Sequence, residues 1–234
     1  MQNPTLTIAL FAFNQEKYVV EAVQSLFRQS YTPLQIILSD DCSTDNSYAL
    51  LQDMASEYDG PHKVIVRKSK TNFGLLHHIL SVAAIADGEL LIVAAGDDIS
   101  MENRVKKIWD TFCKQDSGVI AYSSDDIIID RDGLVTDVDE ERISKRDQWH
   151  KRNRAWIHGG TAAYRINFLK DLPMPDRSTS FEDMIFIDLM NIHGYRSIRS
   201  KEKLVKYRYH EGNISLRVEN KKHVRDRERK AILR

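Results

Sequence analysis

Cysteine is scarce in this sequence, and long apolar segments are missing. The 234 residues include two cysteines, Cys42 and Cys113, which give neither a disulfide framework nor a CxxC metal pair. This usage is typical of a reducing compartment, so a cytoplasmic location is expected. The N-terminus lacks the basic and apolar regions of a signal peptide, and no stretch has the length of a membrane-spanning helix. We therefore expect a cytoplasmic protein, either soluble or peripheral at the inner face of the membrane.

A glycine-rich turn is also missing where a dinucleotide-binding fold or a nucleoside-triphosphatase fold would need one. The first predicted strand ends in Phe11, Ala12, Phe13 and Asn14, with neither a GxGxxG pattern nor a P-loop lysine after it. This absence argues against both of those classes.

The C-terminal end has an excess of basic residues, which an excess of acidic residues in the preceding part of the chain balances. The formal net charge is zero, yet Lys and Arg outnumber Asp and Glu in residues 199–234. This basic segment is either a solvated face or a surface for an anionic membrane or a polyphosphate. It matches no nucleic-acid-binding motif, so no nucleic-acid partner is expected. Its helix-like tail stops without a cap or a helix breaker, which leaves truncation open.

Apolar residues alternate between strand-like and helix-like spacing in the first half of the chain. We predict strands at residues 6–13, 35–39, 63–67 and 89–95, with a helix in each of the three intervals. This order favours a parallel sheet with helices on both faces. Further along we predict a helix at 104–113, a strand at 118–122, a hairpin turning at 131–133, and a charged surface loop or lid at 138–154.

Two of the predicted strands end in paired acids. An apolar run at residues 90–95 is followed by a glycine and then by Asp97 and Asp98, and the second strand ends in Asp40 and Asp41. Ligands of parallel sheets bind at the carboxyl ends of the strands. Oxygen donors at that edge suit Mg²⁺ or Mn²⁺ better than Zn²⁺. The sequence therefore predicts a site for a metal and a phosphorylated ligand.

Each acid pair also has a purely structural interpretation. Asp97 could cap a helix whose first turn lies at residues 99–103, and Ser43 or Thr44 could cap the helix after the second strand. Capping does not require every acid of the two pairs, however. Four carboxylates around one crevice are tolerated only when they meet hydrogen-bond donors or a cation.

Six segments occur in the order seen in family 2 glycosyltransferases of the GT-A fold, which the chain resembles over residues 5–217. They are residues 10–14, the Ser-Asp-Asp-Cys-Ser-Thr-Asp run at 39–45, Asn-Phe-Gly at 72–74, Gly-Asp-Asp at 96–98, Phe-Glu-Asp at 181–183 and Tyr-Arg-Tyr-His at 207–210. The resemblance implies an α/β, Rossmann-like GT-A fold with a mostly parallel central sheet flanked by helices. It also implies a single domain over residues 1–234. In it, residues 1–125 form a nucleotide-sugar-binding half, 126–217 a smaller acceptor-binding and catalytic half, and 218–234 a basic C-terminal helix.

The resemblance further implies which residues bind a nucleotide sugar. Asp41 is expected to accept a hydrogen bond from the uracil ring N–H, and Asp97 to approach the ribose. Asp98 is expected to ligate an Mn²⁺ or Mg²⁺ cofactor that bridges the diphosphate. His210 is a candidate second metal contact, although a structural role explains a single histidine equally well. Further donor contacts are expected from Phe11, Phe13, Asn14, Asn72 and Gly74.

On the acceptor side, the resemblance implies that Asp183 is the general base and that Glu182 contacts the acceptor. An inverting transfer needs a carboxylate that takes the proton from the attacking hydroxyl. The structural alternative is an acidic helix N-terminus favoured by the helix dipole. Acceptor contacts are expected from Trp156, Gly160 and Thr161, although a plain turn explains the glycine pair at 159–160 nearly as well.

The sequence departs from the family pattern in places that matter. Many members have glycine where this chain has Cys42. Many also have an Ala-Arg-Asn-rich helix where this chain has Leu-Leu-His-His at residues 75–78, so the basic group on the phosphates is not evident. Its candidates are His77, His78, Arg67, Lys70, Lys206 and Arg208. The Gln-x-x-Arg-Trp motif of processive synthases is missing, which favours one sugar added per encounter.

The sequence thus predicts a metal-dependent inverting glycosyltransferase. It would move one sugar from a nucleoside-diphosphate sugar, with a UDP-sugar favoured, to a glycan or lipid-linked saccharide. The expected setting is cell-surface polysaccharide biosynthesis, such as O-antigen assembly, with peripheral membrane contact as an open possibility. Two alternatives remain: a nucleotidyltransferase, which would ordinarily have a glycine-rich basic loop after the first strand, and a non-catalytic sugar-nucleotide-binding module.

Overall fold

The computed structural model describes residues 5–136, 155–174 and 182–213, together with the single residue 148. Three predicted features therefore lie wholly or largely outside the described residues. They are the charged loop or lid at 138–154, Phe181 of the Phe-Glu-Asp segment, and the basic C-terminal helix at 218–234.

The first half of the chain alternates strands and helices, which confirms the predicted order. Its strands are β1 (Leu6–Ala12), β2 (Leu34–Asp40), β3 (Lys63–Lys68) and β4 (Leu90–Ala95), and its helices are α1 (Val19–Phe27), α2 (Ser47–Ser56) and α3 (Leu75–Ala83). The four strands pair in parallel in the order β3-β2-β1-β4. Their carboxyl ends therefore meet at one edge of the sheet, where the acid pairs follow β2 and β4.

The second half adds four strands to the same sheet. Its elements are β5 (Ile99–Ser100), α4 (Arg104–Phe112), β6 (Val119–Ile129), a 3₁₀ turn (Gly159–Thr161), β7 (Ala163–Arg165), α5 (Ile166–Lys170), α6 (Glu182–Ile192) and β8 (Arg196–Arg208). The order across the sheet is β3-β2-β1-β4-β7-β6-β8-β5. The pairings of β7 with β4 and β6, and of β5 with β8, are antiparallel. The sheet is therefore mixed, with four of its seven pairings parallel.

Hydrophobic packing covers both faces of this sheet. Every residue of β1 and β2 is buried, as is all of β4 except its last residue. One core cluster packs beneath α3, α5 and α6, and the other packs beneath α1 and α4. Strands buried on both faces have near-continuous apolar runs, which is why the sequence indicated them clearly.

The structure corrects both capping alternatives. The residues after Asp98 form β5, and α4 begins only at Arg104, so Asp97 does not cap a helix that starts at residue 99. Helix α2 begins at Ser47 with Asn46 as its N-cap residue, so neither Ser43 nor Thr44 occupies that position. The acid pairs therefore need another explanation.

The predicted end of a strand at residue 122 is also wrong. A single strand, β6, runs from Val119 to Ile129 with register shifts against β8, and the predicted hairpin turn follows it. The turn closes through hydrogen bonds between Asp130 and Leu134 and an antiparallel bridge between Ile129 and Val135. Strand β8, which the sequence did not indicate, brings residues 207–210 beside the acids that follow β4.

Candidate active site

A cleft of about 460 Å³ opens at the carboxyl ends of β1, β2 and β4. It unites eleven of the predicted site residues, namely Phe11, Phe13, Asn14, Asp41, Asn72, Gly74, Asp97, Asp98, Gly160, Glu182 and His210. Three other predicted residues, Trp156, Thr161 and Asp183, are not among those lining the cleft. The cleft thus joins residues from both halves of the chain.

Asp41 organises the part of the cleft expected to hold a base. Its side chain is buried, and its two oxygens accept hydrogen bonds from the backbone N–H groups of Phe73 (3.3 Å) and Gly74 (3.0 Å). A carboxylate offers about four lone-pair positions, so acceptor capacity remains for a ligand. Asp40 has a different role, because its Oδ1 accepts from Ser43 N (2.8 Å) and it does not line the cleft.

Two residues beside Asp41 have left-handed backbone conformations. Asn14 has φ of 54°, and its Oδ1 accepts from Thr44 N (2.9 Å), which ties the loop after β1 to the loop after β2. Cys42 has φ of 66°, a region that favours glycine. This conformation gives a physical reason for the glycine that the family pattern has at the position of Cys42.

We expect Cys42→Gly to stabilise the protein. A non-glycine residue in this region is strained, and removing the strain outweighs the added freedom of the unfolded chain, for a gain of about 0.5 to 1 kcal/mol. Urea denaturation would measure the change in the free energy of unfolding. Cys42→Ala is the matched control, because it removes the sulfur and keeps the strain. An equal gain from alanine would contradict this explanation.

The acid turn, residues 96–98, joins β4 to β5 at the centre of the cleft. Asp97 and Asp98 are 8% and 5% exposed. Burial and then the charge of Asp97 raise the pKa of Asp98 well above its usual range, while the backbone N–H of Arg208 and the cation of Arg104 act in the opposite direction. Arg208 N donates to Asp98 Oδ1 (2.8 Å), whereas Asp98 Oδ2 is buried without a hydrogen-bond partner. Asp98 therefore keeps one oxygen for a ligand.

His210 lies against the other acid of the turn. Its Nε2 is 2.9 Å from Asp97 Oδ2, and its Nδ1 accepts from the backbone N–H of Gly212 (3.1 Å). Because Nδ1 is the acceptor, the ring proton lies on Nε2 and is donated to Asp97. The ring also packs on Tyr18, with centroids 4.8 Å apart. In this arrangement, metal ligation by His210 Nε2 requires that the hydrogen bond to Asp97 be exchanged.

The donor set of the acid turn fits a hard cation that a substrate helps to hold. The unpartnered Asp98 Oδ2 is an oxygen donor, and a cation there would favour the charged form of this buried carboxyl. Within residues 5–136, 155–174 and 182–213, no group of three His, Cys, Asp or Glu side chains forms a preassembled metal centre. Mg²⁺-type sites commonly use one or two carboxylates together with water and substrate phosphates.

A buried polar network lies beneath the base end of the cleft. Ser39 Oγ is 2.5 Å from His78 Nε2 and accepts from Arg67 Nη1 (3.0 Å). Burial, followed by the charges of Arg67 and His77, lowers the pKa of His78 to about 3. His78 is therefore neutral at physiological pH, and its ring packs edge-on against Phe11 at 4.9 Å.

Glu182 and Asp183 begin helix α6 at the far side of the cleft. Glu182 lines the cleft and is 6% exposed, and burial, followed by the charge of Asp183, raises its pKa well above 4.5. A Cβ atom on Gly159 would lie 2.5 Å from Glu182 Oε1, so glycine permits this close approach. Asp183 is half-buried, and its Oδ1 accepts from Met184 N (2.7 Å). The environment of the pair thus favours a neutral Glu182 beside a charged neighbour.

Glu182→Gln is expected to stabilise the protein at neutral pH. The folded-state pKa of Glu182 is raised, so the stability linked to its protonation is complete below pH 4.5 and is lost as the pH rises toward the folded-state value. Glutamine does not titrate, and a gain of about 1 kcal/mol would raise the Tm by about 2 to 4 °C in a chain of this size. Calorimetric scans from pH 4.5 to 8 should show an advantage for the variant that grows with pH. A constant difference would contradict the assigned ionisation.

Two of the predicted acceptor residues have structural contacts instead of cleft contacts. Thr161 is fully buried, and its hydroxyl donates to Ser124 O (2.9 Å). The backbone of Trp156 is held by Ser197, whose hydroxyl lies 2.7 Å from both Trp156 N and Trp156 O. Gly160 does line the cleft, and a Cβ there would lie 3.6 Å from Asp98 Oδ2.

The sequence did not indicate two residues, Arg104 and Gln15, that lie near the acid turn. Arg104 is fully buried below the acid turn, donates to Val93 O (2.7 Å), and has its pKa lowered to about 10 by burial. Gln15 lines the cleft, with its Oε1 close to Gly96. Gln15 belongs to no recognisable pattern, and a charged residue in an amphipathic helix, such as Arg104, ordinarily indicates a solvated face.

Comparison with known proteins agrees with this geometry. Residues 7–172 match the model of the family described as glycosyl transferase family 2. A putative glycosyltransferase, EpsE of Bacillus subtilis, is 30% identical over 105 residues, which is 44% of this chain and 37% of that protein.

Two solved structures resemble the fold. S. aureus TarS 1–349 in complex with UDP-GlcNAc has a TM-score of 0.66 at 18% identity, over 92% of this chain and 61% of that one. The mannosyltransferase PcManGT from Pyrobaculum calidifontis, in complex with GDP-Man and Mn²⁺, has a TM-score of 0.70 at 17% identity, over 92% and 60%. The chain thus spans less than two thirds of the length of these proteins. Among its described helices, none is both long and apolar enough to cross a membrane.

Proposed function

This chain belongs to glycosyl transferase family 2, and from that premise we propose that it is an inverting glycosyltransferase that uses a divalent metal. It moves one sugar from a nucleoside-diphosphate sugar, with a UDP-sugar favoured, to a glycan or lipid-linked acceptor. The observation that carries this proposal is the cleft that joins Asp41, the acid turn and Glu182. We assign these groups, in order, to a base, a diphosphate and a reacting sugar.

Asp41 is the residue that we propose recognises the base of the nucleotide. It is buried and fixed by two backbone N–H groups, yet it keeps acceptor capacity. A carboxylate favours a base edge with an N–H donor, as uracil has, and disfavours one with a lone pair at that position. Phe11, Phe13 and Asn14 also line the cleft and are proposed to supply the walls of the base pocket.

Asp98 is the proposed residue that holds a divalent metal, Mn²⁺ or Mg²⁺, together with the diphosphate. Its Oδ2 is buried and unpartnered, while Arg208 N fixes Oδ1. When bound, such a cation neutralises charge on the departing nucleoside diphosphate. Asp97, hydrogen-bonded to His210, is proposed to face the ribose. His210 joins the metal site only after its Nε2 leaves Asp97.

Asp183 is the proposed general base, with Glu182 as a neighbouring acceptor contact. Burial raises the pKa of Glu182 and so favours the protonated carboxyl, the form that can donate a hydrogen bond to a sugar hydroxyl. Asp183 is the partner whose charge contributes to that shift, which suits it to accept the proton of the attacking hydroxyl. Gly160 and Gly159 leave room for a sugar between Glu182 and the acid turn.

The proposed setting is the assembly of a cell-surface polysaccharide such as O-antigen, with the basic C-terminal segment near an anionic membrane surface. The segment's excess of Lys and Arg supports this part of the proposal. Sedimentation with anionic vesicles at low salt would test it. We expect the protein to bind the vesicles at low salt and to lose this binding at high salt. No affinity for the vesicles at low salt would contradict the proposed membrane contact.

Turnover tests the proposed reaction. Purified protein with Mn²⁺ and a panel of UDP-, GDP- and dTDP-sugars is expected to release one nucleoside diphosphate, faster when a saccharide acceptor mixture is present. The anomeric configuration of the product, read by NMR, is expected to be inverted. Retention of configuration would contradict the proposed base. Tight donor binding without release or transfer would favour the non-catalytic binding module instead.

A further inference from the structure

Arg208, at the end of β8, is buried at 2% exposure beside the acid turn. Its position in the Tyr-Arg-Tyr-His segment made it a candidate ligand of the diphosphate. It is not, however, among the residues that line the cleft, whereas its neighbours Tyr207 and His210 are. The contacts of its side chain indicate what it does instead.

The side chain of Arg208 is committed to protein acceptors on three chain segments. Nε donates to Asp97 O (2.9 Å) and Nη1 donates to the carbonyls of Asp130 (3.3 Å) and Arg131 (3.1 Å). Nη2 donates to Glu21 Oε2 (2.5 Å) in the first turn of α1. The five N–H donors of a planar guanidinium suit it to bind carbonyls and a carboxylate in several directions at once.

The backbone of Arg208 adds a direct restraint on the second acid of the turn. Its N–H donates to Asp98 Oδ1 at 2.8 Å, so one residue fixes both the Asp97 carbonyl and the Asp98 carboxylate. The guanidinium carbon also lies 4.9 Å from the ring centroid of Tyr18, whose ring packs on His210. Arg208 therefore links the acid turn to helix α1 and to the hairpin at residues 130–131.

We propose that Arg208 is a positioning residue that braces the acid turn against helix α1 and the hairpin at residues 130–131, and that it does not bind the diphosphate directly. The proposal rests on the proposed binding of a nucleoside diphosphate at the acid turn. With the brace intact, Asp98 Oδ2 is held toward the cleft and the diphosphate needs no reorganisation of the turn. Glu21 anchors the side chain of Arg208 to α1, since its half-exposed carboxylate forms an ion pair with the guanidinium.

Substitution of Glu21 distinguishes a positioning role of Arg208 from a phosphate-binding role, because the two roles predict opposite changes in the affinity for UDP. If Glu21 anchors a brace, Glu21→Gln loosens the acid turn and weakens the affinity for UDP with Mn²⁺ by about 3-fold, as expected for a half-exposed pair. If Arg208 must leave Glu21 to bind phosphate, the same substitution frees it and strengthens UDP binding. Arg208→Lys is expected to weaken UDP binding by about 10- to 100-fold, the usual effect of losing a partner that orients a metal ligand.

The matched control lies on the same strand. Arg196, at the other end of β8, pairs with the exposed Asp116 at 2.6 Å, far from the cleft. Asp116→Asn therefore removes an acid paired with a β8 arginine without touching the acid turn, and wild-type affinities are expected. Uridine, which lacks the diphosphate, should bind the Arg208 and Glu21 variants as tightly as wild type, which shows that the base pocket is intact.

The test combines calorimetric titration of UDP with Mn²⁺, titration of uridine, and amide hydrogen exchange of the ligand-free proteins. If Arg208 positions the acid turn, we expect Glu21→Gln to show weaker UDP binding, unchanged uridine binding, and faster amide hydrogen exchange in the acid turn. Stronger UDP binding, or exchange equal to wild type, would overturn it. If wild-type protein binds no diphosphate with Mn²⁺, the proposed function fails, while the exchange comparison still decides whether Arg208 and Glu21 brace the turn.

Discussion

Asp98→Asn is expected to reduce sugar transfer by on the order of 10³-fold, the scale of losing a group that stabilises charge on a leaving diphosphate. The asparagine keeps the size of the side chain and can still accept from Arg208 N, but it loses the charge at the buried Oδ2. Initial rates of nucleoside diphosphate release at saturating Mn²⁺ would measure the effect. The affinity for UDP with Mn²⁺ should fall in parallel, while uridine binding should not change.

This variant should fold at least as well as wild type. The pKa of Asp98 is raised chiefly by burial, so a neutral side chain relieves a cost at neutral pH. A Tm equal to or above the wild-type value would separate loss of function from loss of structure. Asp116→Asn provides the control for removing an acid elsewhere. If the Asp98→Asn variant transferred sugar at a rate within a few-fold of wild type, the proposed role of Asp98 as a metal ligand would be contradicted.

Asp183→Asn is expected to lower kcat by about 10²- to 10⁴-fold, the usual contribution of a general base. The acceptor hydroxyl would then attack without a group to take its proton. Binding of the nucleoside diphosphate should stay within about 2-fold of wild type, because Asp183 lies at the start of α6 and is not among the residues that line the cleft. Single-turnover kinetics with a saturating donor would isolate this chemical step.

Glu182→Gln is the matched comparison for that variant. Glu182 lines the cleft, and burial raises its pKa and so favours the protonated carboxyl. An amide can replace most of its proposed role, so a smaller loss of transfer is expected. The proposed roles would be reversed if Glu182→Gln abolished transfer and Asp183→Asn did not. In that case Glu182, whose pKa is raised, would be the general base.

The sequence predicted those parts of the fold whose information is local. Strands β1, β2 and β4 are apolar on both faces, so their segments stand out without knowledge of their neighbours. The acid turn and Asp41 were predicted because each follows such a strand, and the sheet places strand ends together. The cleft confirms that these residues meet.

The missed parts depend on partners that are distant in sequence. The middle of β6 is polar and yet buried, because Asp125 pairs with Arg199 of β8 at 2.6 Å, with both side chains less than 10% exposed. Arg104 and Arg208 are buried for the same kind of reason, since their acceptors come from other segments. A charge pattern read along the chain assigns such residues to the surface, and only the assembled sheet shows otherwise.

Calorimetric titration of UDP, GDP, CDP, dTDP and NAD, each with and without Mn²⁺, tests the central claim most directly. The claim is that Asp41 and Asp98 form one site for a nucleoside diphosphate and a metal. It predicts tight binding of one diphosphate, UDP before the others, that depends on Mn²⁺ and is lost in Asp98→Asn. Binding of none of the diphosphates, or of NAD alone, would contradict it.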